Sequence, residues 1–207
     1  MKIAILGTGR VGGTLGRKWA QAGHAVVFGT RDAGSDKVRA LVAEVGHGAV
    51  AAGHREAVAT ADVILLAVPW AEGSALVQSL GDLTGKVLID ATNPVAPNFQ
   101  LAVSGNTSAA EELAKVTTAH VVKAFNSTGS TIMANPEFPA GRAAMLVAGD
   151  NEDAKAHVLQ LAADAGFQPE DAGPLRAARF LEPMALLWIS MANRYGREKL
   201  AFTLLHR

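Results

Sequence analysis

The 207 residues contain no cysteine. Disulfides, zinc thiolates, iron–sulfur clusters and thiol nucleophiles are thereby excluded. An excess of either charge is also missing: 19 Lys and Arg stand against 19 Asp and Glu. No overall field therefore recruits nucleic acid or an anionic membrane. No run approaches the roughly 20 apolar residues that span a bilayer, and the N-terminus opens directly on an apolar strand with no leader before it. The expectation is a soluble, cytoplasmic protein with neither nucleic acid nor membrane as partner. A metal-ligand pattern is absent too, since His24, His47, His54, His120, His157 and His206 are scattered. Ser74 and Ser127 lack a nucleophile elbow, and no acid–base constellation stands out.

What is present begins at the first residues. The apolar run Ile3 to Leu6 stops at Gly7-Thr8-Gly9-Arg10-Val11-Gly12, a Gly-x-Gly-x-x-Gly turn. Val11, Leu15 and Trp19 then recur at helical spacing, and a second apolar run, Ala25 to Phe28, follows. Strand, glycine turn, helix, strand is the order that a dinucleotide pyrophosphate requires. Gly7 allows the tight turn, Gly9 leaves room for the pyrophosphate, and Gly12 lets the helix lie close on the strand. Free N–H groups and the positive end of the helix dipole then face the phosphates.

The end of the second strand bears on which dinucleotide. An NAD site places an acidic residue there for the ribose 2′-hydroxyl. Here Thr30 and Arg31 occupy the tip, and a hydroxyl with a guanidinium suits a 2′-phosphate. NADP(H) is therefore expected over NAD(H). Asp32, one residue later, would weaken that expectation if it turned inward, and Lys37 is a candidate second cation.

Further apolar runs, Ala49–Ala51, Val63–Val68, Lys86–Asp90, His120–Ala124 and Ala143–Ala148, alternate with helical patterns. Ser35 is expected to cap one helix and Asp150 another that stops at Gly166. The pattern predicts an α/β Rossmann-type, doubly wound, mainly parallel sheet. Residues 1–173 would form the NADP-binding domain, and 174–207 one or two helices that wall a cleft and mediate dimerisation. Phe180, Met184, Leu187, Trp188 and Met191 form an apolar stripe, and Leu200, Phe202, Leu204 and Leu205 add to it. The stripe either packs on its own sheet or forms the interface of a homodimer, and the homodimer is the expectation.

Three loops follow strand C-termini, the edge where open α/β sheets bind ligands. Val68-Pro69-Trp70 offers a stiff turn and a flat apolar ring, Trp70 being either a cofactor contact or a packed core residue. Asn93 supplies the donor and acceptor that a carboxamide ligand needs, or else forms an Asn-Pro turn. Asn126-Ser127-Thr128-Gly129 is dense in small polar groups and suits the far wall of a nicotinamide pocket.

With Gly29-Thr30-Arg31, Pro69-Trp70, Asp171-Ala172-Gly173-Pro174-Leu175 and Arg179-Phe180-Leu181-Glu182, the chain resembles the NADP oxidoreductases dependent on coenzyme F420, a deazaflavin. It also resembles the related soluble domains of metalloreductases. The resemblance implies that Thr8, Gly9, Arg10 and Val11 contact the pyrophosphate and that Thr30 and Arg31 hold the 2′-phosphate. Val68 and Pro69 would flank the nicotinamide, and Trp70 with Asn126, Ser127, Thr128 and Gly129 would border the acceptor. Archaeal deazaflavin enzymes often carry a second arginine where this chain has Asp32, and a His-Thr-Ile-Pro-like stretch at 126–129. The Lys-Ala-Phe-Asn loop here looks more like that of the metalloreductase domains.

Three functions remain distinct. The first is an oxidoreductase passing hydride between NADPH and coenzyme F420 or a flavin. The second is an NADPH-dependent reductase of a small carbonyl or imine. The third is a non-catalytic NADP(H)-sensing module.

Overall fold

The computed structural model describes all 207 residues. From the N-terminus run β1 (Lys2–Leu6), α1 (Arg10–Gln21), β2 (Ala25–Thr30), α2 (Asp36–Val45), β3 (Val50–Gly53) and α3 (His54–Ala59). Then come β4 (Val63–Leu66), α4 (Trp70–Ser79), β5 (Val87–Asp90), α5 (Ala109–Ala114), β6 (His120–Lys123) and α6 (Ser130–Ala134). A small hairpin, β7 (Glu137–Phe138) and β8 (Gly141–Arg142), leads to β9 (Ala144–Gly149), α7 (Glu152–Asp164), β10 (Gln168–Asp171) and α8 (Ala178–Tyr195).

Eight strands make one sheet in the order β10-β9-β6-β5-β4-β1-β2-β3. Strands β1 to β6 are parallel and follow the Rossmann order, with a switch point between β1 and β4. β9 joins β6 antiparallel, and β10 lies parallel to β9. Period-two alternation divides the central strands between two cores. Ile3 and Ile5 of β1 face a cluster with Leu15, Trp19, Phe28, Phe125 and Phe167. Ala4 and Leu6 face the other, with Ile64, Leu66 and Leu88. Burial on both faces explains why these strands read as continuous apolar runs. α1 lies close on the sheet because Gly16 carries no Cβ: one placed there would come within 2.5 Å of the Phe28 ring. Trp19 Nε1 donates to the Leu161 carbonyl at 2.9 Å and ties α1 to α7.

Several expectations shift. β4 ends at Leu66, so Ala67 and Val68 leave the sheet. The α7 cap is Asn151, whose side chain accepts from the Ala154 N–H, while the Asp150 carboxylate accepts from the Leu175 N–H at 2.9 Å. Ser35 precedes α2 without a side-chain cap, because its hydroxyl donates to the Asp32 carbonyl. Beyond Tyr195 there is no second helix. The tail runs irregularly across the first core, with Leu200, Ala201 and Phe202 packed on it. It is pinned by Trp188 Nε1 to the Leu200 carbonyl and by the Ala144 N–H to the Phe202 carbonyl. The segment from 174 onward has no core of its own: Leu175 and Ala178 belong to one cluster, Trp188 and Ala192 to the other.

Candidate cofactor site

The three glycines of the first turn serve different needs. Gly7 has φ +123°, and a Cβ there would lie 2.4 Å from the Ala67 carbonyl oxygen. A Cβ on Gly12 would lie 2.0 Å from the Gly7 carbonyl oxygen. The fold therefore demands both. Gly9 has φ −82°, which any residue can adopt, and a Cβ there would meet nothing within 4 Å. Nothing in the protein requires a glycine at position 9, and the space beside it is what a close-lying ligand needs. The first intrahelical bond of α1 runs from the Gly13 N–H to the Gly9 carbonyl. The N–H groups of Arg10, Val11 and Gly12 precede it and point out of the helix end.

Over this turn lies a cavity of about 410 Å³ lined by Gly7, Thr8, Gly9, Gly29, Thr30, Arg31, His54, Ala67, Val68, Pro69, Glu72 and Leu76. It sits at the switch point, where an open α/β sheet binds its ligand. Arg31 pairs with no carboxylate, so its guanidinium fork is free on the cavity edge. Asp32 does not line the cavity: its Oδ1 accepts from the Gly34 N–H at 3.1 Å, within its own loop. Glu72, in the first turn of α4, is the one acidic group on the wall. Lys37 lies instead in an adjoining depression with Arg10, Thr14 and Arg17, which shares Thr8 and Gly9 with the cavity. Val11 is half-buried and packs on the first core.

The acceptor-side candidates are placed differently. Asn93 and Asn126 bind each other: Asn93 Nδ2 donates to the Asn126 carbonyl at 2.8 Å, and Asn126 Nδ2 donates to Asn93 Oδ1 at 3.0 Å. Asn126 Nδ2 also donates to the Leu181 carbonyl on α8, at 3.0 Å. Much of both carboxamides' bonding capacity thus ties the loops after β5 and β6 to α8. Ser127 is buried. The Thr128 hydroxyl oxygen is buried without any partner, an orphan that a ligand's polar group could satisfy. Gly129 is needed for packing, since a Cβ there would come within 2.6 Å of the Trp188 ring. Trp70 opens α4 half-buried and is outside the cavity lining. The cavity does not extend to Asn93 or to residues 126–129.

Beneath these loops is a charged network that composition alone did not reveal. Lys123 Nζ lies 2.9 Å from Asp90 Oδ2, 2.9 Å from Glu182 Oε1 and 2.8 Å from the Thr92 carbonyl. All three charged side chains are fully buried. Glu182 also accepts from the N–H groups of Ala109 and Ala110, and Asp90 from the N–H and hydroxyl of Thr92. The signal in the sequence was a lysine inside an apolar strand, because such a residue is seldom buried unless paired. His54 was likewise passed over. Its pKa is held below the ordinary imidazole value by burial and by the nearby Arg31 charge.

An F420-dependent NADP reductase from Methanothermobacter thermautotrophicus is 31% identical over 214 residues, covering 94% of this chain and 90% of the relative. The chain belongs to the family of NADP oxidoreductases dependent on coenzyme F420. The profile of that family, described as "NADP oxidoreductase coenzyme F420-dependent", matches residues 2–94, which hold the glycine turn, the cavity and Asn93. A crystal structure from Arthrobacter sp. FB24, provisionally named an F420-dependent NADP reductase, superposes with a TM-score of 0.89 at 30% identity, over the full length of both chains. Metalloreductase STEAP3 of Rattus norvegicus is 33% identical over 187 residues, 89% of this chain. The chain spans only 36% of that protein's length. As an NADP oxidoreductase of this family, the chain has no helix long and apolar enough to cross a membrane.

Proposed function

We propose that this chain passes a hydride between NADP(H) and coenzyme F420 or a flavin-type acceptor. The open space at Gly9, which the fold itself does not need, is the observation that carries the cofactor part of this reading. When bound, the nicotinamide supplies the transferable hydride. The chain's own residues bind and align. Thr8, Gly9 and the free N–H groups of Arg10, Val11 and Gly12 hold the pyrophosphate, aided by the α1 dipole. Thr30 and Arg31 take the 2′-phosphate, with no carboxylate at the β2 tip to oppose it. Val68 and Pro69 limit the sideways freedom of the nicotinamide. The Asn93–Asn126 tie braces the loops after β5 and β6, beyond the cavity itself, where the acceptor would approach. Moving a hydride between two ring systems needs this alignment and exclusion of water more than a protein acid or base.

Replacing Arg31 by Ala tests the cofactor assignment. A charge-assisted phosphate contact contributes about 1.5–3 kcal/mol, so NADPH affinity should fall about ten- to a hundredfold with NADH affinity nearly unchanged. Equal losses for both cofactors would remove the assignment.

The segment from 174 onward is read as a cleft wall and homodimer interface. The α8 stripe divides: Trp188 is buried, whereas Phe180 is 75% and Leu187 53% exposed. Exposed apolar groups of this size on one helix fit a second copy of the chain, which would also enclose the acceptor side that the cavity leaves open. A dimer by light scattering at micromolar concentration supports this, and a monomer rejects it.

A further inference from the structure

We infer that His54 is a specificity-determining residue that, once protonated, joins Arg31 in binding the 2′-phosphate of NADP(H), and so makes the choice of NADP(H) over NAD(H) depend on pH. This rests on the reading that the cavity holds NADP(H).

The placement follows from the register of two strands. β2 and β3 are parallel, with Gly29 opposite Ala52 and Thr30 opposite Gly53. Adjacent strands lie about 4.8 Å apart, so the next residues, Arg31 and His54, leave the sheet side by side at its ligand-binding edge. The His54 ring leans over the β2 tip: its Cδ2 is 3.5 Å from where a Gly29 Cβ would be. His54, Thr30 and Arg31 all line the same cavity.

Neither ring nitrogen of His54 bonds within the chain, and Arg31 has no ion pair. Two groups that can be positive therefore face one cavity without a bonded counter-ion. The other charged groups around His54 are Glu72, across the cavity on α4, and Arg55 and Glu56 on its own helix. The Arg55 guanidinium is drawn away to the Ser79 carbonyl at 2.7 Å. Burial and Arg31 keep the imidazole more neutral than usual in the free protein. A bound phosphate dianion would reverse the Arg31 effect and favour the protonated ring. Binding then takes up a proton at His54, and affinity gains as pH falls through the interval between its free and bound pKa values. NADH has no 2′-phosphate and gains nothing. The 2′-phosphate itself titrates near pH 6 by analogy with other phosphate monoesters, so a single pH profile mixes two groups. The ratio between a variant and the native protein removes the ligand's share.

The experiment is a fluorescence titration of native protein, His54→Gln and His54→Lys with NADPH and with NADH, between pH 6 and pH 8. The ratio of NADPH Kd, His54→Gln over native, should be about tenfold at pH 6 and shrink to about threefold or less at pH 8. The same ratio for NADH should stay near one throughout. His54→Lys, charged at every pH used, should keep native NADPH affinity at pH 6 and exceed it at pH 8. Calorimetry in buffers of different ionisation enthalpy should show that native protein takes up more protons on NADPH binding at pH 6.5 than His54→Gln does. A ratio independent of pH, or equal for both cofactors, overturns the inference. Arg31→Ala separates the two levels. If that variant loses NADPH preference while the His54→Gln ratio stays flat, the inference fails and the cofactor reading stands. If that variant keeps its preference, the reading itself fails and the inference with it.

Discussion

Substituting Gly9 by Val separates what the glycine turn does for the fold from what it does for a ligand. The new side chain would meet no protein atom within 4 Å of its Cβ, and φ at this position is −82°. Gly9 is the N-cap of α1, so a β-branched residue there costs about 1 kcal/mol in capping. Reduced freedom of the unfolded chain offsets about 0.4–1 kcal/mol of that. Net stability should stay within about 1 kcal/mol of native, a shift of about 2–4 °C in Tm for a chain of this size. Binding should respond very differently. Blocking two charge-assisted contacts to the pyrophosphate removes about 3–6 kcal/mol, more than a hundredfold in NADPH affinity. Gly12→Ala is the control. Its Cβ would stand 2.0 Å from the Gly7 carbonyl oxygen, so backbone must move, and overpacking of that kind costs about 1–3 kcal/mol. Thermal unfolding followed by circular dichroism, paired with NADPH fluorescence titration, reads both effects. If Gly9→Val binds NADPH within about threefold of native, the phosphates do not lie over this turn. If it is destabilised as much as Gly12→Ala, the division between the two glycines is wrong.

Lys123→Met should lower stability by about 3–5 kcal/mol, because it leaves Asp90 and Glu182 buried without their cation. A Tm within about 2 °C of native would refute this. The Glu111–Arg179 pair should make stability fall in acid. Hydrogen bonding to Arg179 is the main cause that holds the Glu111 carboxyl below its ordinary 4.5, so its contribution is full above that pH and is lost as pH falls through the lower folded value. Since Arg179 is about a third exposed, solvent screening keeps the stability gap between native protein and Arg179→Gln small. Denaturant unfolding should find the gap constant from pH 8 to 5 and closing below; a gap that widens in acid would contradict the sign.

Local chemistry was the legible part of the sequence. Residues 3–12 announce strand, turn and helix because each glycine's reason lies within a few residues of it. The buried parallel strands announce themselves as apolar runs because both their faces are covered. β10 did not, since Gln168-Pro169-Glu170-Asp171 is an edge strand with a polar sequence, and the two-residue strands β7 and β8 are too short for any period. Leu200 and Phe202 read as added apolar surface near the C-terminal helices, yet they pack as irregular chain on the first core. Asp150 and Asn151 are both good caps, and the Leu175 N–H, twenty-five residues away, settles which of them is free to cap α7. The same limit applied to the site. Thr30 and Arg31 were readable from β2 alone, whereas His54 joins them only through the β2–β3 register. Asp90, Lys123 and Glu182 come from three separate segments, as do Asn93, Asn126 and Leu181. Such ties are properties of the fold, and no spacing within one segment carries them.

The most direct test mixes the purified protein with NADPH and oxidised coenzyme F420, with flavin mononucleotide, a ferric chelate and a small cyclic imine in parallel, and follows NADPH and acceptor together. The account predicts that NADPH is consumed one-for-one with reduction of the deazaflavin or the flavin, and that Gly9→Val abolishes this turnover. Reduction of only the imine or the ferric chelate, or NADPH binding with no turnover of any acceptor, would contradict it.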